Sequence, residues 1–150
     1  MIESYGFIKA VLDAASEGIV VLDVHGDIQF SNHSWNTVGQ VEPWFEYGGW
    51  RGVNYLKVCD DAGKAGDAHA LRAARGIRKV SREEQDIYYL EYPCHSPSNK
   101  RWFMMRVSQF IFSDEQFLVI SHRDITEQKL AEEEISRLST ADDTAVFPIR

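Results

Sequence analysis

The spacing of apolar residues divides the chain into segments of different period. Ile2, Tyr5, Ile8, Val11 and Leu12 recur at steps of three and four, which predicts an amphipathic helix over residues 2–15. Gly18 follows as its stop signal. Ile19 to Val24 is a β-branched apolar run, His25-Gly26-Asp27 reads as a turn, and Ile28-Gln29-Phe30 alternates, so a hairpin is predicted. Asn32 and Ser34 are residue types that cap helices, and Trp35 and Val38 are spaced for a short helical turn. Residues 39–54 form an irregular, aromatic-rich segment holding Trp44, Phe45, Tyr47 and Trp50. From about Asp60 to Val80 the pattern is helical again, with Ala65, Ala68, Leu71, Ala74 and Ile77 at three-residue steps.

Strand periodicity then returns. Residues 86–94 alternate and are rich in Tyr, residues 101–112 carry Phe103, Met105 and Val107 on one face, and residues 116–123 form a last apolar strand after the turn Ser113-Asp114-Glu115. Asp124-Ile125-Thr126 leads into a charged helix through about Leu138, and residues 139–150 are predicted to be a linker or tail. Three successive strands with short loops must run antiparallel. A lone two-stranded hairpin is marginal in water, so the first hairpin is expected to join them. The predicted architecture is α+β: one five-stranded antiparallel sheet with helices on one face, flanked by N- and C-terminal amphipathic helices.

Composition narrows the function. A chain of 150 residues with 44% hydrophobic and 26% charged residues can bury one core without a disulfide or metal staple. Sixteen basic against 23 acidic residues give a net charge of −7, which argues against nucleic acid and against anionic membrane surfaces, both of which select basic clusters. The longest apolar string, Gly18 to Leu22, is far too short to span a bilayer, so no membrane insertion is expected. Glu3 and Asp13 stand where a signal peptide needs a basic and an apolar region. Cys59 and Cys94 form no CxxC pair and read as reduced thiols of a cytoplasmic protein.

Three segments together resemble a PAS domain, the sensory-box module of bacterial signalling proteins. They are Glu17-Gly18-Ile19-Val20-Val21-Leu22-Asp23 with Gly26-Asp27-Ile28 and Asn32, then Tyr92-Pro93-Cys94-His95-Ser96-Pro97 with Arg101-Trp102-Phe103, then Val119 through Glu132 with Asp124-Ile125-Thr126 at its centre. The resemblance covers roughly residues 8–138. It divides the chain into an N-terminal amphipathic helix (1–15), a PAS core (16–124), a C-terminal signalling helix (125–138) and a linker or tail (139–150). It implies a sensory or regulatory domain that senses a small molecule or mediates homodimerisation. Asp124, Ile125 and Thr126 would pass the signal along the C-terminal helix to an output domain, such as a diguanylate cyclase, a histidine kinase or a transcription regulator. Thr126 is of a type to cap that helix with its hydroxyl.

The chemistry available is that of a binder. No GxSxG elbow, phosphate loop or HExxH motif occurs, and Ser121 and His122 alternate to opposite faces of a strand, so no enzyme active site is expected. The Cys and His spacings match no metal site. The alanines of the middle helix leave it slim, with room for a small organic ligand between helix and sheet. The expected pocket residues are Trp44, Trp50, Tyr55, Ala68, Leu71, Tyr89, Phe103, Met105 and Val107. The alternative is that the bulky aromatics of residues 44–55 fill that space. Two cofactor readings also follow from the resemblance. His69 lies where haem-binding PAS domains place their iron ligand, and Trp44 and Trp50 are suited to stack on a flavin. Tyr55 stands where light-sensing relatives carry a reactive Cys, and Cys59 comes four residues later, which speaks against a covalent flavin adduct.

Overall fold

A computed structural model describes residues 2–39, 52–95 and 97–146. Helix α1 (Ile2–Ala14) leads into strand β1 (Gly18–Leu22), strand β2 (Ile28–Ser31) and the short helix α2 (His33–Gly39). Helices α3 (Tyr55–Lys64) and α4 (Ala68–Ser81) follow. Strands β3 (Tyr88–Pro93), β4 (Trp102–Phe112) and β5 (Glu115–Asp124) precede helix α5 (Thr126–Val146). Among the described residues no helix is long and apolar enough to cross a membrane.

All five strands form one antiparallel sheet in the order β2-β1-β5-β4-β3. The hairpin joins the later strands through β1 and β5, where Val20 faces Ile120 and Leu22 faces Leu118. One face of the sheet carries the core. Val20, Leu22, Met105, Val107, Leu118 and Ile120 are buried there against Ala73, Ala74, Ile77 and Val80 of α4, which lies across β3, β4 and β5.

Asn32 organises the N-terminal end of this core. It is fully buried and satisfies all four of its hydrogen-bonding positions. Its Oδ1 accepts from Ile19 N–H at 2.8 Å and from Trp35 N–H at 3.0 Å, so it caps α2. Its Nδ2 donates to Leu12 O at 2.7 Å and Glu17 O at 2.9 Å, which ties the end of α1 to the start of β1.

Two expectations about helices are corrected. The predicted single helix from Asp60 to Val80 is two helices, and the first begins earlier. Asn54 caps α3 by accepting from Lys57 N–H, and Asp67 caps α4 by accepting from His69 and Ala70 N–H. Between them Gly66 adopts φ +108°, a left-handed conformation that ends a helix. The repeating alanines continue across this break and mask it. Second, the C-terminal helix does not stop near Leu138. It runs through Val146, so residues 139–146, expected to be linker or tail, are helical.

Candidate functional site

Strand alternation and register assemble the floor of a cavity. On β3, Tyr88, Leu90 and Tyr92 face inward, while Tyr89 and Glu91 face outward. Leu90 pairs with Met105, which pairs with His122, and Tyr92 pairs with Phe103, which pairs with Asp124. These two rows face Tyr55, Val58, Cys59 and Ala62 of α3 and His69, Ala70 and Ala73 of α4. The pocket, half open to solvent, has a volume of about 450 Å³, and Trp35 lines it from α2. That volume lies within the range of small-molecule sites. The small side chains Ala62, Ala70 and Ala73 keep the helices from filling it.

The lining is mostly apolar, with a ring of aromatic contacts. Trp35 meets Tyr55 and His122 edge-on at 5.5 and 4.9 Å, and Tyr92 stacks on Phe103 at 5.8 Å. Tyr92 also meets His122 edge-on at 5.6 Å. The Tyr92 hydroxyl and His122 Nδ1 share a hydrogen bond of 2.5 Å. His122 Nε2 and His69 Nδ1 are buried, and neither has a hydrogen-bond partner among the described residues.

Burial sets the charge state of this interior. It holds the His122 imidazole down at about 4, so the ring is neutral near pH 7. It pushes the Cys59 thiol up to about 12. It raises the Tyr92 phenol above its ordinary value, and it raises the Tyr55 phenol too, with Cys59 and Tyr92 adding to the effect there. Each of these groups therefore keeps its uncharged form. Cys59 is a protonated thiol rather than a nucleophile. Among the described residues, no group of three or more His, Cys, Asp or Glu is arranged to hold a metal ion.

Charge is confined to the exposed rim. Arg101 Nη2 donates to Asp124 Oδ2 at 3.0 Å, and the guanidinium carbon lies 5.0 Å from the centre of the Phe103 ring. Burial alone would raise the Asp124 carboxyl, but hydrogen bonds from Thr126 and Arg101 outweigh it and hold the group below its ordinary value. The same residues seat α5. Asp124 Oδ1 accepts from Thr126 N–H at 2.9 Å, Ile125 N–H donates to Trp102 O at 2.9 Å, and the Ile125 side chain is buried. The Thr126 hydroxyl does not cap its own helix as expected. It accepts from Trp102 N–H at 3.1 Å, and Asp124 takes the role at the helix start. The start of α5 is thus bound to the first residue of β4 and to the rim of the cavity.

The nine expected pocket residues separate on this geometry. Tyr55, Phe103 and Met105 line the cavity. Val107 is buried in the core without lining it. Leu71 is 46% exposed and lies over Gly63 at the α3–α4 junction, because the break at Gly66 resets the phase of the helix. Ala68 is exposed at the start of α4, and Tyr89 is 57% exposed on the outer face of the sheet. Trp44 and Trp50 lie outside the described residues. Trp35, Cys59, Leu90, Tyr92 and His122 line the cavity and were not among the nine. Extending the alternation of Leu118 and Ile120 by two residues reaches His122, and that local signal pointed to it.

No family model matches the chain. An uncharacterized 104.1 kDa protein of Rhodobacter capsulatus is 36% identical over 122 residues, which cover 79% of this chain and 13% of that protein. The chain thus spans a small fraction of the curated relative it matches. Among solved structures, the PAS domain of BvgS from Bordetella pertussis superposes with a TM-score of 0.54 at 15% identity, covering 93% of this chain and 98% of that one. A PAS domain from a two-component sensor histidine kinase gives 0.53 at 13% identity, covering 82% and 97%. An RNA-binding light-oxygen-voltage receptor gives 0.59 at 15% identity, covering 94% of this chain and 38% of that one.

Proposed function

We propose, for a chain that has the fold of a PAS domain, that it is a sensory module which binds a small organic molecule and signals through α5. One observation carries the reading. Arg101, Phe103 and Asp124 line the cavity, and Asp124 and the adjoining Ile125 and Thr126 hold the start of α5 on the sheet. A ligand that displaces the Arg101–Asp124 pair or shifts the Phe103 row acts directly on the seat of the helix. Coupling of this kind requires that the ligand bind the two positions of α5 with different affinity.

The domain acts as a binder and not as a catalyst, a reading supported by an interior in which Cys59 and Tyr92 stay protonated and His122 stays neutral. The output is a domain joined to α5, either a diguanylate cyclase, a histidine kinase or a transcription regulator. The two free cysteines fit a cytoplasmic location. The partner at the ends is a second copy of the domain. Phe7, Ile8 and Val11 on α1 and Ile135 and Leu138 on α5 are exposed apolar residues that a homodimer would cover. Light scattering before and after removal of residues 2–14 tests this, and a monomer at high concentration in both cases refutes it.

The direct test of sensing is native mass spectrometry and an absorbance spectrum of the freshly purified protein, followed by hydrogen exchange of α5 with a metabolite panel. The expected result is a bound or thermally stabilising small molecule that changes exchange over residues 125–138. A protein without a bound molecule, whose melting no metabolite raises and whose α5 exchange never changes, refutes the reading. A second reading rests on His69, whose imidazole lines the cavity with its Nδ1 unmatched among the described residues. A histidine on the cavity wall is the side-chain type that would hold haem iron. A Soret band abolished by His69→Ala would establish it over an organic ligand, and flavin bands in the same spectrum would establish flavin.

A further inference from the structure

Buried polar atoms in native proteins are almost always hydrogen-bonded, so an unmatched one needs a cause. Among the described residues, two imidazole nitrogens on the lining of this cavity are unmatched. His122 Nε2 stands on β5 and His69 Nδ1 on α4, on opposite walls. The Tyr92 ring neighbours both, 5.6 Å from the His122 centroid and 6.5 Å from that of His69. The other nitrogen of His122 is committed to the Tyr92 hydroxyl. The remaining lining around them, including Ala70, Ala73, Leu90, Phe103 and Met105, offers apolar contact.

We infer that the cavity takes an uncharged molecule with an apolar body and one head group that both donates and accepts a hydrogen bond, held between His122 Nε2 and His69 Nδ1. This deepens the sensory reading above and rests on it. The head group must be able to do both because His122 has two neutral tautomers. If Tyr92 O–H donates to Nδ1, then Nε2 carries the proton and donates; if Nδ1–H donates to the Tyr92 oxygen, then Nε2 accepts. A hydroxyl or a primary amide meets either case. An ion does not belong at this depth. Tyr55, Cys59, Tyr92 and His122 keep their uncharged forms and supply no countercharge, and transfer of an unpaired ion into such surroundings is strongly unfavourable. Arg101 carries positive charge at the rim, but Asp124 already neutralises it there.

Four probes of one chain length test the inference: n-octanol, octanamide, octanoate and octylammonium. Each is titrated into protein carrying isotopically labelled histidine, with imidazole nitrogen resonances and melting temperature as readouts. Octanol and octanamide are expected to bind saturably, to shift the side-chain resonances of His122 and His69, and to bind at least about tenfold more tightly than either ion. His122→Phe and, separately, His69→Leu should each weaken octanol about tenfold, the size expected when a buried hydrogen bond of about 1.4 kcal/mol is lost. The second variant sits on a half-buried wall and guards against misfolding of the first. Octanoate binding most tightly, with its affinity lost in Arg101→Ala, would overturn the neutral head group while leaving sensing intact. Binding of octanol that moves neither histidine resonance would overturn the assignment of the polar end. Failure of all four probes, together with no response to a wider metabolite panel, would overturn both this inference and the sensory reading.

Discussion

Replacing Asn32 with Asp changes one group and keeps the shape. The acceptor interactions with Ile19 N–H and Trp35 N–H survive, but the two donors to Leu12 O and Glu17 O are lost. Each lost hydrogen bond costs about 1 kcal/mol, and the two carbonyls are left facing a carboxylate oxygen in a fully buried site. With the desolvation of the new charge, the total is about 3–5 kcal/mol at neutral pH. That is a large part of the stability of an ordinary domain. For a chain of this size the melting temperature should fall by roughly 10–15 °C. Burial beside two carbonyls raises the pKa of the new carboxyl in the folded state above its unfolded value. The variant therefore loses least at low pH, where the protonated acid regains one O–H donor, and loses more as pH rises through the folded pKa. Urea denaturation followed by circular dichroism, at about pH 7 and about pH 4.5 against wild type at the same pH, measures both effects. A cost below about 1 kcal/mol at neutral pH, or a cost that does not shrink on acidification, would refute the view that Asn32 is the four-way tie between α1, β1 and α2.

Three further outcomes follow from the packing. His122 is depressed from 6.5 to about 4, so the unfolded chain binds a proton in that interval that the folded one does not, and stability present above pH 6.5 is lost as pH falls toward 4, by at most about 3 kcal/mol. Asp13, Asp60 and Asp124 are lowered and act mainly below about pH 5, so His122→Phe should flatten the denaturation profile between about pH 5 and 6.5, and identical profiles for the two proteins would be evidence against the assignment. In Gly76→Ala the added Cβ would overlap the Tyr88 ring and force α4 from β3, so a loss of about 1–3 kcal/mol is expected in thermal melts, and an unchanged melting temperature would show that this contact yields freely. Asp60 and Arg78 join α3 to α4 through two hydrogen bonds of 3.0 and 2.7 Å on a partly exposed surface, so Asp60→Asn should cost only about 0.5–1 kcal/mol and the difference should shrink in high salt, whereas a salt-independent loss would point to packing instead.

What the sequence determined is what local period and local chemistry determine. The alternation of Phe103, Met105 and Val107, and of Leu118 and Ile120, assigns one face of two strands to the core wherever those strands lie. The three consecutive strands could only be antiparallel, and the hairpin needed partners, so the five-stranded sheet was legible before any coordinates. The slimness of the helices was legible too, and Ala62, Ala70 and Ala73 do leave a cavity.

Only the tertiary structure decided which side chains surround it. Tyr92 and His122 are 30 residues apart and meet because the β3–β4 and β4–β5 registers bring them into adjacent rows, and register is a non-local property. Leu71 and Ala68 fit a continuous helical repeat, but the left-handed Gly66 and the Asp67 cap restart the helix and rotate that repeat out of the cavity. Gly66 followed by Asp67 is a helix stop followed by a cap residue, and the periodic alanines on both sides mask it. Tyr89 and Tyr92 belong to one Tyr-rich strand, and pairing across the sheet turned Tyr92 inward and Tyr89 out to solvent. Period is set by the backbone within a few residues, whereas register and helix phase are set by contacts between segments that the chain brings together only when it folds.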